Sequence, residues 1–131
     1  MALDVQSVRR GTVVLVRLPN DKARPAVVVR SDLLCELSYA TVLPITTERR
    51  EGISMRIDLE ATPGNGLRKR SQVMVDWPQT VRCSDMGEVI GRLDSETMRA
   101  VTRQMAVVLG IGYGTGRSRR AGGATVSAPD P

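Results

Sequence analysis

The chain has 131 residues, which suits one domain with a modest core plus a terminal extension. It carries 17 arginines and two lysines, a net charge of +5 and no histidine, and its only cysteines are Cys35 and Cys83; this excludes imidazole catalysis, a disulfide framework and a zinc site of the usual four ligands. The charge suits a polyanionic partner such as nucleic acid, and arginine suits phosphate because a guanidinium grips it with two hydrogen bonds; solvated surface arginine is the competing reading.

Residues 1–10 are polar and mixed in charge, unlike a secretory signal, and no apolar run nears the ~20 residues of a membrane span, so a cytoplasmic protein is expected. Thr12 to Leu18 reads as a strand bounded by Gly11 and Pro19, and Asn20-Asp21-Lys22 as a short turn. Arg24 stands directly before a second strand, Pro25 to Arg30, whose first position tolerates a proline. Ala40 to Thr46 is a third strand, with Thr47 directly after it, and Glu48 to Gly52 is a charged loop. Met55 to Glu60 alternates, which predicts one buried and one wet face.

Pro63-Gly64-Asn65-Gly66 is a strong turn signal. Ser71 to Asp76 and Thr80 to Cys83 read as two short strands, or as one long strand interrupted at Pro78; Glu88 to Leu93 is the last. Asp94-Ser95 then caps a helix whose Met98, Val101, Met105 and Val108 form one apolar stripe, suited to closing a core rather than meeting a partner. Gly110 supplies the stop. After Gly112 the composition turns to Gly, Ser, Arg, Ala and Pro without periodicity, which predicts a folded domain over 1–112 and a disordered tail over 113–131.

Close-spaced short strands and one terminal helix predict a mainly β fold, a small SH3-like barrel of five to seven strands with a C-terminal helix. With no Phe and a single Trp, the core must be filled by Val, Leu, Ile and Met, and both cysteines are expected as free buried thiols. Trp77 reads equally as a core plug or as an exposed stacking platform for a base.

An ordered series of motifs runs through the chain: Gly11-Thr12-Val13, Arg24-Pro25, Pro44-Ile45-Thr46, Gly66-Leu67 with Ser71, Asp76-Trp77-Pro78-Gln79-Thr80, and Gly91-Arg92-Leu93. From about residue 9 to 110 this series resembles the MazF/PemK/Kid family of toxin endoribonucleases. The resemblance implies a homodimeric, sequence-specific, metal-independent endoribonuclease without a cofactor, the toxin of a toxin–antitoxin pair. It implies cleavage of single-stranded RNA by attack of the 2′-hydroxyl, leaving a 2′,3′-cyclic phosphate and a 5′-hydroxyl. The implied antitoxin is MazE-like, acidic and partly disordered. The family's arginine falls on Arg24, its threonine on Thr46 and its later acid on Asp76. Two departures touch RNA reading: the first loop is only Asn20 to Ala23, and the glutamine that commonly follows the acid is Trp77.

Such a reaction needs a base, donors for the charge on the phosphoryl oxygens, and an acid for the leaving oxygen. Arg24 supplies charge stabilisation and Thr46 a hydroxyl donor. The family assignment also gives the proton transfers to the arginine. A guanidinium is protonated at ordinary pH and has no free lone pair with which to take a proton, so Asp76 stands as the alternative base or as the group that orients Arg24. Taken singly, Arg24 reads as a surface partner of Asp21 or Glu48, and Thr46 as a hydroxyl satisfying a turn. Lys22, Thr47, Arg49, Trp77, Gln79 and Arg82 are the candidate RNA contacts. Two other functions compete: a gyrase-poisoning toxin of the same barrel type, like CcdB, whose C-terminal Trp-Gly-Ile is here Leu109-Gly110-Ile111, and an RNA-binding barrel without catalysis.

Overall fold

The computed structural model describes residues 8–17, 22–52 and 55–112; the Asn20-Asp21 part of the first turn, the N-terminal seven residues and the expected tail lie outside the described residues. Among the described residues, seven strands and one α-helix follow in chain order: β1 (Thr12–Arg17), β2 (Ala23–Val28), β3 (Tyr39–Thr46), β4 (Arg56–Leu59), β5 (Ser71–Met74), β6 (Gln79–Arg82), β7 (Met86–Arg92) and α1 (Ser95–Leu109). Every pairing is antiparallel, in the order β4-β5-β3-β2-β1-β7, with β6 also on β3. The stretch around Pro78 is thus a break between two short strands. Two short 3-10 helices, Asp32–Leu34 and Cys83–Asp85, were not signalled by the sequence pattern.

β3 is the hub. Its first half pairs β6 through Tyr39 to Val42, and its end pairs β5 through Ile45 and Thr46. Pro44 falls between the two partners. A proline inside a central strand normally breaks a ladder; here it stands where one neighbouring strand leaves and the next begins.

The first three strands are apolar on both faces because both faces are covered. Val13, Val27, Leu43 and Ile45 join a core with Leu59, Val73, Val75, Leu93 and Val101. The alternate residues Val14, Val16, Ala26, Val28, Ala40 and Val42 join a second core with Val8, Val81 and Met86. The helix closes the first: Val101 is fully buried, and Met98, Met105 and Val108 pack against it. Asp94 caps the helix by accepting the Thr97 N–H, and Gly110 ends it in the left-handed region. β4 keeps the expected alternation at Asp58, exposed, and Leu59, buried. Cys83 is buried as expected, whereas Cys35 is only half-buried, because it follows a 3-10 turn with no buried residue.

The sheet ends are joined by a turn rather than by a ladder. The Arg92 N–H donates to the Gly64 carbonyl (2.9 Å), and Gly66 and Gly91 lie in close backbone contact with β7 and the turn respectively. Register shifts in the β1–β7 pairing add twist that favours this curvature.

Candidate active site

Arg24 lies inside β2 rather than before it, because the pairing with β1 extends through Val16↔Arg24 to Arg17↔Ala23. The β2–β3 register runs Val28↔Val42, Val27↔Leu43, Ala26↔Pro44. This ladder ends two residues short of Arg24 and Thr46, which come together beyond it as lining of one cleft. Thr46 is in turn the ladder partner of Gln72, and Gln72 of Asp58. A hydroxyl, an amide and a carboxylate thus form one row across three strands, and the Arg24 guanidinium shares a cleft with the hydroxyl at its end.

Arg24 and Thr46 line a cleft of about 220 Å³ with Pro44, Ile45, Met74, Trp77 and Gln79. Trp77 is 57% exposed, so it is a wall of this cleft and not a core plug. The Thr46 hydroxyl oxygen accepts the Glu48 N–H at 3.0 Å. This bond does satisfy a turn, but it uses a lone pair and leaves the hydroxyl proton to be donated.

Arg24 also lines a second, larger groove of about 770 Å³ with Lys22, Thr47, Arg68 and Lys69, opposed by Glu88. Arg68 and Lys69 were not singled out from the sequence; the run Arg68-Lys69-Arg70 beside the glycine turn was the available signal. Arg70 pairs with Glu60 (3.0 Å).

The remaining candidates are dispersed. Asp76 is exposed in the turn after β5, beside Trp77 but not among the residues lining either cleft. Arg49 is exposed in the loop after β3. Arg82 pairs with Tyr39, at the opposite end of β3 from Thr46, roughly 23 Å along the strand. Several other arginines hold the fold. The Arg30 guanidinium is buried and donates to the carbonyls of Val8, Leu37 and Tyr39; Arg92 donates to Thr12 and to the Arg10 carbonyl; Arg10 donates to Val29 and to Thr102 on the helix. Part of the positive charge is therefore structural.

Among the described residues, no group of three or more His, Cys, Asp or Glu side chains is placed to hold a metal ion, and no helix is long and apolar enough to cross a membrane. The arrangement can hold a phosphodiester between a cation and a neutral donor, with an aromatic face and an amide beside it for a base.

Comparison with known proteins agrees with that chemistry. Residues 9–109 match the family model described as PemK-like, MazF-like toxin of type II toxin–antitoxin system. Over 90 residues the chain is 34% identical to a Mycolicibacterium smegmatis protein named probable endoribonuclease MazF, covering 69% of this chain and 83% of that one. Over 74 residues it is 38% identical to endoribonuclease MazF3 of Mycobacterium tuberculosis, covering 56% and 69%. The solved Mycobacterium tuberculosis toxin MazF-mt6 superposes with a TM-score of 0.68 at 28% identity, over 78% of this chain and 99% of that one. A mycobacterial endoribonuclease solved in complex with its cognate antitoxin shares the fold, with a TM-score of 0.70 at 23% identity over 80% and 97%.

Proposed function

The chain belongs to the PemK-like, MazF-like toxin family, and on that premise we propose that it is the endoribonuclease toxin of a type II toxin–antitoxin pair, cutting single-stranded RNA at a phosphate held between Arg24 and Thr46. The observation that carries this reading is their shared cleft, to which β2 contributes Arg24 and β3 contributes Thr46.

The 2′-hydroxyl of the nucleotide before the scissile bond attacks phosphorus, and the 5′-oxygen of the next nucleotide leaves. The products are a 2′,3′-cyclic phosphate and a 5′-hydroxyl. The Arg24 guanidinium faces the non-bridging oxygens and offsets the charge that grows on them; the Thr46 hydroxyl donates to one of them. Trp77 stacks on a neighbouring base, and Gln79 reads its edge. Arg24 forms part of both clefts, so the strand continues past it into the larger groove, where Lys22, Thr47, Arg68 and Lys69 meet flanking phosphates. Proton transfer falls to Arg24 in the family's assignment and to Asp76 in the alternative.

The toxin acts in the cytoplasm, as a homodimer, without metal or cofactor. An acidic, partly disordered antitoxin segment has the charge to occupy the same basic groove. The test is cleavage of single-stranded RNA in EDTA with identification of product ends. Cyclic phosphate and 5′-hydroxyl ends are expected, and Arg24→Ala or Thr46→Ala should each lower the rate by about 10²-fold, as loss of an oxyanion-type donor does. Strict dependence on added Mg²⁺, or parental rates in both variants, would place the chemistry elsewhere.

A further inference from the structure

Gln72 is 5% exposed on β5, between Ser71 and Val73. Burying a polar amide is costly unless all its groups are paired, and an apolar side chain would fill such a position more simply. Here every group is paired. Oε1 accepts the Arg50 N–H (2.9 Å) and Nη1 of Arg56 (3.2 Å). Nε2 donates to the Arg50 carbonyl (3.1 Å) and to Oδ1 of Asp58 (2.8 Å). One side chain thereby grips both backbone groups of Arg50, as a neighbouring strand would.

The segment so gripped follows the catalytic threonine. Thr47, Glu48, Arg49 and Arg50 are all exposed, so burial does not hold them. Polar bonds hold them at three points: Gln72 on Arg50, Arg56 on the Glu48 carbonyl (3.2 Å), and the Glu48 N–H on the Thr46 hydroxyl oxygen. Gln72 is also the direct cross-strand partner of Thr46, which sets their Cβ atoms about 5 Å apart.

We propose that Gln72 is a positioning residue: with Asp58 and Arg56 behind it, it fixes the 47–50 segment and so aims the Thr46 hydroxyl into the cleft. This rests on the reading of Thr46 as the phosphate donor. Small misplacements of a reacting group cost up to about 10²-fold in rate, so the effect belongs in kcat.

The experiment is a double-mutant cycle in the full chain. Gln72→Leu should lower kcat at least about tenfold, and leave the Kd for an oligonucleotide with a 2′-deoxy scissile nucleotide nearly unchanged. In a Thr46→Ala background the same change should have almost no further effect, because its route runs through Thr46. Amide hydrogen exchange at Glu48 and Arg50 should speed up in Gln72→Leu. Where that variant folds poorly, Gln72→Glu carries the test: it keeps the shape and loses both donors, and adding Asp58→Asn restores a donor to the introduced carboxylate and should recover part of kcat. An equal loss in both Thr46 backgrounds, or parental kcat in Gln72→Leu and Gln72→Glu, overturns the proposal. A parental rate in Thr46→Ala alone removes the donor reading beneath it, whereas an impaired Thr46→Ala with an additive cycle removes only the role of Gln72.

Discussion

A side-chain carbon on Gly66 would stand 2.0 Å from the Ile90 carbonyl oxygen, so the turn after β4 and strand β7 meet backbone to backbone with no room for a methyl group. This contact joins the two ends of the strand order, and Gly66 and Ile90 both line the larger groove. Gly66 also has φ +73°, in the left-handed region that disfavours a side chain. Gly66→Ala should therefore cost about 3 kcal/mol or more, from backbone strain and overpacking together. Gly52 has φ +79° but nothing within 4 Å, so Gly52→Ala should cost only the backbone part, about 1–2 kcal/mol. Urea unfolding of both variants measures the difference, and equal costs would show that the closing contact contributes nothing.

Arg24→Lys keeps the positive charge and loses the planar fork, so it should not restore the activity lost in Arg24→Ala. Asp76→Asn separates the two candidates for the base. Asp76 lies outside the residues lining the cleft, and its replacement should lower the rate less than about tenfold, or change which sequences are cut. A loss as large as that of Arg24→Ala would make Asp76 the base.

Arg68 and Lys69 face the larger groove and should touch phosphate, not base. For a non-cleavable RNA analogue, each replacement by Ala should flatten the slope of log affinity against log salt by about 0.7, the value for one lost contact to a single strand. The effect should be the same across RNA sequences. Arg82→Ala, whose side chain lines neither cleft, is the control and should leave the slope unchanged. If the Arg82 variant flattens the slope and the Arg68 variant does not, the strand runs along the other side of the barrel.

Much of this architecture was legible in the sequence because strong local signals agreed with the tertiary structure. Gly11 and Pro63-Gly64-Asn65-Gly66 mark real turns, and Asp94, the apolar stripe and Gly110 mark the helix. The ordered motifs pointed to Arg24 and Thr46, which the fold brings to one cleft. What stayed hidden depends on contacts distant in sequence. Arg24 falls inside β2 because β1 extends the ladder to it, which no local pattern records. Trp77 could not be assigned to core or surface until the turn after β5 was seen to face the cleft. A lone glutamine in a strand gives no hint that it will bond a backbone 22 residues away, as Gln72 does to Arg50.

The Asp94 carboxyl lies below its ordinary value of 3.8, chiefly because it accepts the Thr97 backbone N–H, with the Thr97 side chain and the nearby charge of Arg99 acting in the same direction. A carboxylate whose pKa is lowered by folding stabilises the folded state above its unfolded pKa, and that contribution fades as pH falls through the folded value. The melting temperature of the parent should exceed that of Asp94→Ala at pH 6, with the gap closing below about pH 4. Asp94→Asn, which keeps an acceptor but does not titrate, should show a gap to Asp94→Ala that persists at low pH. A parent-to-Asp94→Ala gap that stays constant to pH 3 would show that the cap does not act through its charge.

The helix is finished before the C-terminal extension begins. Gly110 adopts φ +72°, its N–H donates to the Val107 carbonyl at 3.1 Å, and the Ile111 N–H reaches the Ala106 carbonyl at 2.8 Å. These bonds satisfy carbonyls that a helix end would otherwise leave open. Truncation after Gly112 keeps all of them. It removes three arginines and one aspartate, in a segment without apolar periodicity. The melting temperature and the rate at physiological salt should therefore match the full chain, while RNA affinity at low salt should fall modestly as the added cations are lost. Both chains are to be compared at the two salt concentrations. A large drop in melting temperature on truncation would mean that residues 113–131 dock on the domain, and the boundary of the folded unit would have to move beyond Gly112.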